Sequence, residues 1–434
     1  MSDKSHFDTQ RLNAGYNPAD HLYAVSPPIY ATAAYDFRDV ANAKGLFNFS
    51  EAGFLYTRVG NPTVAVLEER VKTLDGGESA IALGSGMAAI SYTLMNLAEN
   101  GGHILASPYL YGGSTDSFGK MYSRFGITID LAKNILNPAK LAEEIKPNTK
   151  AIYVESISNP GTVLLDIGEI AKVAHKHGIP LVVDNTVATP YLYRPIEHGA
   201  DIVVYSATKG LNGHGNVIAG VIVESGKFEY DQKKFPQFYD KYYTLRNAEE
   251  TPRSYTEVFG NQAFTARIRL DYLNYFGAPL SPFDAYHVII GIETLSERLT
   301  KQSQNALKLA KFLESNPQVE WVRYPGLESS PDYNRYKSDY KNGAGGLLSF
   351  GYKGTAAQRE AFLNAVKIFH YHVNIGDSRS LIVNSPQTTH GELDANEQKR
   401  ADIPANLIRI SAGLEDSIDL IADLKQAFKV SEKA

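Results

Sequence analysis

Between residues 81 and 224 the hydrophobic positions form short apolar runs that are separated by amphipathic stretches. The runs are rich in β-branched residues and each is long enough for one strand, as in HILAS, ITIDLA, AIYVES, PLVVDN, DIVVYSA and VIAGVIVE. The stretches between them carry apolar residues at helical spacing, as in AAISYTLMNLA. This alternation is typical of a mostly parallel sheet covered by helices, and it predicts about seven strands.

Two segments differ from this alternation. Before it, the sequence NPTVAVLEERVKTLDGG predicts a helix, with Asn61 as N-cap, Pro62 in the first turn and Gly76 at the end. The first sixty residues otherwise look irregular. Residues 227–261 are rich in tyrosine and charge without a sustained period, so we interpret them as an insertion.

The C-terminal part of the chain has the pattern of a smaller α+β unit. A long helix is predicted over residues 282–313. Strands are predicted near 319–324, 346–351 and 407–412, and a final helix in SIDLIADLKQAFKV. We therefore expect a large domain that is followed by a smaller C-terminal domain.

Composition excludes several kinds of chemistry. The 434 residues include no cysteine, so disulfides, thiolate metal sites and a cysteine nucleophile cannot contribute. The formal net charge is -5 and the basic residues lie among acidic ones, so we do not expect nucleic acid as a partner. A polar start and the lack of a run of about 20 apolar residues predict a cytoplasmic protein without a membrane span. His175 and His177 lack further ligands, so no metal site is expected.

The motif SATKG places Lys209 directly after the apolar run DIVVYSA, with Ser206 and Thr208 just before it. A lysine in such a partly dry position has a lowered pKa, which suits it to form a Schiff base with an aldehyde cofactor. By itself a Thr-Lys pair after a strand more often marks an ordinary surface lysine. The assignment therefore depends on what accompanies it.

Three other features strengthen this interpretation. Asp184 ends the run PLVVDN, where a carboxylate can pair with a protonated pyridine nitrogen, although a turn or cap aspartate is the common alternative. In GSGMAA, the backbone N–H groups of Gly86 and Met87 can hold a phosphate at a helix N-terminus. Tyr111 in PYLYGG can stack on a planar cofactor and move protons, although a lone tyrosine is more often simply packed.

Taken together, YTRVGNPT, GSGMAA, LYGG, VESISNP, VVDNT and YSATKG, in this order, resemble the cystathionine γ-synthase family of pyridoxal 5'-phosphate (PLP) enzymes. The resemblance covers nearly the whole chain. It implies the fold-type I, aspartate-aminotransferase-like α/β architecture. It also implies an N-terminal segment over residues 1–60, a PLP-binding domain over 61–285 with an insertion at about 227–261, and a C-terminal domain over 286–434.

The resemblance also implies roles for particular residues. Lys209 matches the Schiff-base lysine, Asp184 the partner of the pyridine nitrogen, and Tyr111 the tyrosine that stacks on the ring and takes part in catalysis. Four residues match the groups that hold the phosphate: Gly86, Met87, Ser206 and Thr208. Asn159 is expected to face the phenolic oxygen of the cofactor.

Substrate-binding residues are implied in the same way. Arg409 in LIRISAGLED matches the arginine that binds the substrate carboxylate with a bidentate fork, and Asn374 in NIGDSRSLIVNSPQTTH lies where it would assist. Tyr56 and Arg58 match a pair that reaches the phosphate of the neighbouring subunit, and Tyr56 is also expected near the substrate. This implies a homodimer with shared active sites, and a homotetramer is the common further assembly in the family.

The reaction type is suggested by the insertion and by the sequence that follows it. Both resemble the O-acetylhomoserine sulfhydrylase branch, which implies a γ-replacement that converts O-acetyl-L-homoserine and sulfide to L-homocysteine and acetate. Met87 follows Ser-Gly where many sulfhydrylases have glutamine, and this form is more usual in lyases and cystathionine synthases. Gly113 stands where methionine γ-lyases often have cysteine, which favours synthesis over methionine breakdown. A cystathionine or methionine γ- or β-lyase and a cystathionine γ-synthase remain alternatives, as does a non-catalytic or nucleotide-binding protein on the same sheet.

Overall fold

The computed structural model describes residues 5–434, so the first four residues of the predicted segment 1–60 lie outside it. A seven-stranded sheet has the order β1-β7-β6-β5-β4-β2-β3. Its strands are β1 (Ser79–Leu83), β2 (His103–Ala106), β3 (Thr128–Leu131), β4 (Thr149–Glu155), β5 (Leu181–Asp184), β6 (Ile202–Ser206) and β7 (Gly220–Glu224). Strands β2 to β6 are parallel and β7 is antiparallel to both of its neighbours. The predicted mostly parallel sheet of about seven strands is confirmed.

Helices cover both faces of this sheet and continue into the C-terminal part. They are α1 (Phe7–Asn13), α2 (Val40–Phe47), α3 (Pro62–Asp75), α4 (Gly86–Ala98), α5 (Gly112–Lys120), α6 (Pro138–Leu141), α7 (Ile167–Lys176), α8 (Thr189–Leu192), α9 (Tyr255–Phe259), α10 (Ala263–Arg267), α11 (Asn274–Phe276), α12 (Pro282–Glu293), α13 (Leu295–Glu314), α14 (Tyr333–Asp339), α15 (Ala356–Ala365), α16 (Ala395–Arg400) and α17 (Ser417–Ser431). A π-helical turn over Ile268–Leu273 joins α10 to α11. Because both faces are buried, the central strands are apolar on successive residues rather than on alternate ones.

Helix α3 has the ends that its sequence predicts. The Asn61 Oδ1 atom accepts a hydrogen bond from the backbone N–H of Thr63 at 3.0 Å. Gly76 follows the helix with a positive φ of 74°, a conformation that glycine adopts without a Cβ clash. The local signals were sufficient here because capping depends on neighbours within a few residues.

The segment predicted as an insertion contains only short helices, but it contributes to the core. Phe235 and Phe238 are fully buried, and their rings pack with Tyr230 and Phe264 against one face of the sheet. These aromatic side chains are spaced irregularly along the sequence, so they pack into one cluster only when the segment folds back onto the sheet.

The long helix predicted over residues 282–313 is wrong in one respect, because it is two helices that meet at Thr294. Arg298 explains the break, since its guanidinium donates to the backbone carbonyl of Gly291, which would otherwise accept within a continuous helix. The same guanidinium donates to the carbonyl oxygens of Gly210 and Leu211. The break therefore anchors α13 to the loop that follows Lys209.

The C-terminal part contains a second sheet of order β10-β11-β12-β9-β8. Its strands are β8 (Val319–Arg323), β9 (Leu347–Tyr352), β10 (His370–Tyr371), β11 (Leu381–Val383) and β12 (Leu407–Ser411). All of them except the exposed β10 form a core with α13, α15 and α17. Arg409 lies on β12 between Val383 of β11 and Ser349 of β9. No helix within residues 5–434 is both long and apolar enough to cross a membrane.

Candidate active site

The carboxyl ends of β4, β5 and β6 meet at a cavity of about 250 Å³. Glu155 ends β4, Asp184 ends β5, and Lys209 follows β6 by three residues. Ligands of open α/β sheets bind at this edge, because loops and helix N-termini converge there. The predicted residues that line the cavity are Gly86, Met87, Tyr111, Asn159, Asp184, Ser206, Thr208 and Lys209.

Lys209 has the electrostatic setting expected of a reactive amine. Burial and the nearby Arg409 guanidinium lower the pKa of Lys209 to about 8. Its Nζ atom donates a hydrogen bond of 2.6 Å to the Oδ1 atom of Asn374. At neutral pH the amine therefore loses its proton far more readily than a surface lysine does.

Asp184 lines the same cavity and is held by neutral donors. Its Oδ1 atom accepts from the backbone N–H of Thr186 at 2.9 Å, and its Oδ2 atom accepts from the Tyr153 hydroxyl at 3.2 Å. Burial raises the pKa of Asp184, while these hydrogen bonds oppose the shift. A cation bound in the cavity would stabilise the ionised carboxylate further.

A third part of the cavity suits an anion. Helix α4 begins at Gly86, so the N–H groups of Gly86 and Met87 have no partner within the helix. A Cβ at Gly86 would lie 2.6 Å from the Cβ of Ser206, so only glycine allows this close approach. The Thr208 hydroxyl already accepts a hydrogen bond of 2.9 Å from the backbone N–H of Ala219.

Arg409 is a buried arginine whose hydrogen-bond partners are neutral. Its Nη1 atom donates to Asn159 Oδ1 at 3.0 Å, and its Nη2 atom donates to the carbonyl oxygens of Val373 and Asn374 at 3.1 and 3.0 Å. Burial lowers the pKa of Arg409 to about 10. A cation with neutral partners is a suitable site for an anionic substrate group.

Tyr111 lies at the start of α5 with its ring in the cavity wall. Burial raises the pKa of Tyr111, so its phenol is protonated near neutral pH. A Cβ at Gly113 would lie 2.6 Å from the Cε1 atom of Tyr111. Glycine at this position is therefore required for the observed placement of the Tyr111 ring.

Tyr56 and Arg58 are not brought to this cavity by their own chain. Both side chains are exposed, and the Arg58 Cζ atom lies 5.1 Å from the centre of the Tyr56 ring. Arg58 also donates to the Oδ1 atom of Asn274 at 3.3 Å. In the single chain, Tyr56 and Arg58 therefore lie on the surface and do not line the cavity.

The sequence interpretation overlooked three residues at or beside the cavity: Glu155, Thr186 and His390. Glu155 could have been noticed, because it is a charged residue that ends the buried run AIYVE. The ring of His390 is buried, and burial lowers its pKa to about 4. Its Nε2 atom lies 3.1 Å from the carbonyl oxygen of Asn159, so this nitrogen carries the proton and donates.

The cavity matches the predicted cofactor in chemistry. PLP combines an aldehyde, a pyridine nitrogen and a phosphate on one planar ring. Lys209 offers an amine, Asp184 a carboxylate, and the start of α4 beside Ser206 an anion cradle, all in the wall of the same cavity. The residues present therefore fit this cofactor.

Comparisons with known proteins agree with this fit. Residues 8–429 match the family described as Cys/Met metabolism PLP-dependent enzyme. The chain is 43% identical to a homocysteine synthase of Schizosaccharomyces pombe, and the match covers 99% of each chain. It is 37% identical to an O-acetyl-L-homoserine sulfhydrylase of Leptospira meyeri, over 97% of this chain and 96% of the relative.

A solved structure extends the comparison to the fold. The crystal structure of a Campylobacter jejuni protein that carries N'-pyridoxyl-lysine-5'-monophosphate matches this structure with a TM-score of 0.91 and 36% sequence identity. The match covers 98% of this chain and 100% of that one. On the evidence of the family match, the two relatives and the shared fold, this chain belongs to the PLP-dependent enzymes of cysteine and methionine metabolism.

Proposed function

We propose that this enzyme catalyses a γ-replacement in which O-acetyl-L-homoserine and sulfide give L-homocysteine and acetate. The names of the relatives support this reaction, since one is a homocysteine synthase and another an O-acetyl-L-homoserine sulfhydrylase. The observation that carries the proposal is the connection from Lys209 through Asn374 to Arg409. This connection places an amine of lowered pKa beside a buried guanidinium suited to an amino-acid carboxylate.

Lys209, Arg409 and Asn374 have defined tasks in this reaction. When bound, PLP withdraws the electron pair that remains on the substrate α-carbon after its proton is removed. Lys209 would hold the cofactor by bonding its amine to the aldehyde group of PLP, and the free amine would accept the α-proton of the substrate. Arg409 and Asn374 bind the substrate carboxylate and so orient the α-carbon toward the Lys209 amine.

Four other groups would position the cofactor. Asp184 pairs with the protonated pyridine nitrogen, which keeps the ring positively charged. The start of α4, with Ser206 and Thr208, binds the phosphate, and Asn159 directs its amide N–H group to the phenolic oxygen. Tyr111 stacks on the ring, and its protonated phenol can supply a proton to the departing acetate.

Product analysis tests the proposed reaction. Purified holoenzyme is incubated with O-acetyl-L-homoserine, with and without sulfide, and homocysteine and 2-oxobutyrate are measured. We expect homocysteine that depends on sulfide and is absent with the Lys209→Ala variant. 2-Oxobutyrate formed regardless of sulfide would instead identify a lyase, and the absence of both products would contradict the proposed substrate. O-Succinyl- and O-phosphohomoserine in parallel reactions identify the preferred leaving group.

The proposal includes a homodimer in which Tyr56 and Arg58 complete the site of the neighbouring subunit, with two dimers forming a tetramer. The exposure of Tyr56 and Arg58 supports this arrangement. So do Ile218 and Val373, apolar residues of the cavity wall that are 65% and 66% exposed in the single chain. A second subunit over the cavity mouth would cover such apolar surface.

Mixing two inactive variants tests the shared site. Arg58→Ala and Lys209→Ala proteins carrying different tags are co-expressed, and the mixed dimers are isolated and assayed. Each mixed dimer has one intact site of two, so isolated mixed dimers should have about half of wild-type activity. The unsorted co-expressed mixture should have about a quarter, because about half of its dimers are mixed. Isolated mixed dimers without activity would show that Arg58 does not act across the subunit boundary.

A further inference from the structure

We propose that Glu155 is a positioning residue that sets the places of Tyr111 and Asn159 in the active site through one carboxylate. The inference builds on the proposed function, because it concerns how that site holds its cofactor and substrate groups. It assigns a task to a buried side chain that the proposed reaction steps do not use.

Glu155 bridges two loops that enter the cavity from different strands. Its Oε1 atom accepts from the backbone N–H of Tyr111 at 2.6 Å, and its Oε2 atom accepts from the backbone N–H of Asn159 at 3.0 Å. Tyr111 comes from the loop after β2, and Asn159 from the turn after β4. The side chain is 4% exposed and lines the cavity.

The geometry requires the length of glutamate and an acceptor on each of its two carboxyl oxygens. Both oxygens of a carboxyl group have lone pairs, so each can receive one N–H group. Glutamine has a single amide oxygen, and its NH2 group would face one of the two backbone donors. Aspartate is one methylene shorter, so it cannot reach both loops from the same backbone position.

A charge on Glu155 does not stabilise the fold by itself. Burial and the adjacent Asp184 carboxylate raise the pKa of Glu155 well above its usual range, which means that the charge is unfavourable here. Glu155 and Asp184 are direct neighbours in the register of β4 and β5. An apolar residue would avoid this cost but would leave the backbone N–H groups of Tyr111 and Asn159 without their acceptor, so the carboxyl group is explained by the two loops that it holds in place.

Both ends of the bridge continue to groups assigned to the cofactor or the substrate. At one end is Tyr111, whose ring lies in the cavity wall. At the other end, the Oδ1 atom of Asn159 accepts from Arg409 and its carbonyl oxygen accepts from His390. A change at Glu155 should therefore move the Tyr111 ring and, through Asn159, the carboxylate-binding guanidinium.

The test is Glu155→Gln in the PLP-loaded enzyme. The loss of one of the two acceptors leaves a buried backbone N–H group unpaired, which predicts a fall in kcat/KM for O-acetyl-L-homoserine of about 10- to 100-fold, with a raised KM because Arg409 shifts. The visible circular dichroism of the bound cofactor should also change, because the Tyr111 ring moves relative to it. Absorbance should show that the cofactor is still bound, since Lys209 and Asp184 are unchanged.

Glu224→Gln is the matched control. Glu224 is also a buried strand-ending glutamate, 3% exposed, and it accepts from the backbone N–H and the hydroxyl of Thr265 at 3.0 and 2.9 Å. It lies at the opposite end of the sheet, paired with Ile202 at the start of β6. We expect it to lower the unfolding temperature but to leave the dichroism and kcat/KM unchanged.

The outcomes separate this inference from the proposed function. Unaltered dichroism and KM in Glu155→Gln, or equal changes in both variants, would overturn the positioning role. If Glu155→Gln does not fold, Glu155→Asp replaces it, with the same expected changes and the same contradicting result. Dichroism of the bound cofactor needs no turnover, so it tests Glu155 even if the wild-type enzyme forms no homocysteine.

Discussion

Replacing Lys209 with alanine is expected to lower turnover by at least about 10⁴-fold while the fold is retained. The variant loses both the covalent hold on the cofactor and the base for the α-proton, and a positioned base alone contributes about 10²- to 10⁴-fold. The amine donates one side-chain hydrogen bond, to Asn374, so little stability should be lost. Homocysteine formation and the unfolding temperature measure the two effects, and borohydride should no longer fix PLP to the chain.

Lys150→Ala is the control for this experiment. Burial also lowers the pKa of Lys150, and its amine binds the backbone carbonyl of Lys234 away from the cavity. We expect this variant to keep turnover and the borohydride-stable cofactor. Normal turnover in Lys209→Ala would refute the central assignment of the active site.

Replacing Asp184 with asparagine is expected to weaken PLP binding and to reduce kcat, each by about 10²- to 10³-fold. Asparagine has almost the same shape, but it cannot pair as an anion with the protonated pyridine nitrogen. Removal of one partner from a buried ion pair costs about 3–5 kcal/mol, which corresponds to this range. Titration of the apoenzyme with PLP measures the affinity, and homocysteine formation at saturating PLP measures kcat.

Asp75→Asn is the matched control for Asp184. Asp75 is fully buried and, like Asp184, accepts a tyrosine hydrogen bond, from Tyr205 at 2.7 Å, but it lies outside the cavity lining. Burial raises the pKa of Asp75 to about 7, so the loss of its charge near neutral pH should change little. Unchanged PLP affinity in Asp184→Asn would mean that Asp184 does not pair with the pyridine nitrogen.

Contacts that span the two sheets could not be derived from patterns along the chain. Arg409 and Asn159 are 250 positions apart, and their hydrogen bond exists only because β12 packs beside the turn after β4. The break at Thr294 has the same origin, since Arg298 binds carbonyl oxygens of the loop after Lys209. Residues 282–313 have a helical period, their proline stands at the first position and their one glycine, Gly291, is isolated, so the local sequence does not predict the break.

The structure gives a physical reason for glycine at position 113, which the sequence alone does not supply. In the sequence, Gly113 stands where methionine γ-lyases often carry cysteine. In the structure any side chain there would collide with the Tyr111 ring, two residues earlier. Tyr56 and Arg58 show the limit of a single chain, since their expected task depends on a second subunit.

By itself the sequence determined the sheet and the placement of Lys209, Asp184 and Gly86 at one of its edges. Apolar runs define parallel strands, and the residues that end parallel strands meet at the same edge whatever the loops do. Only the tertiary structure decided that Glu155 joins Tyr111 to Asn159 and that Arg409 is buried among neutral partners. Such hydrogen bonds require segments far apart in the chain to be placed to within a few tenths of an ångström of each other's correct positions, and no local periodicity encodes that placement.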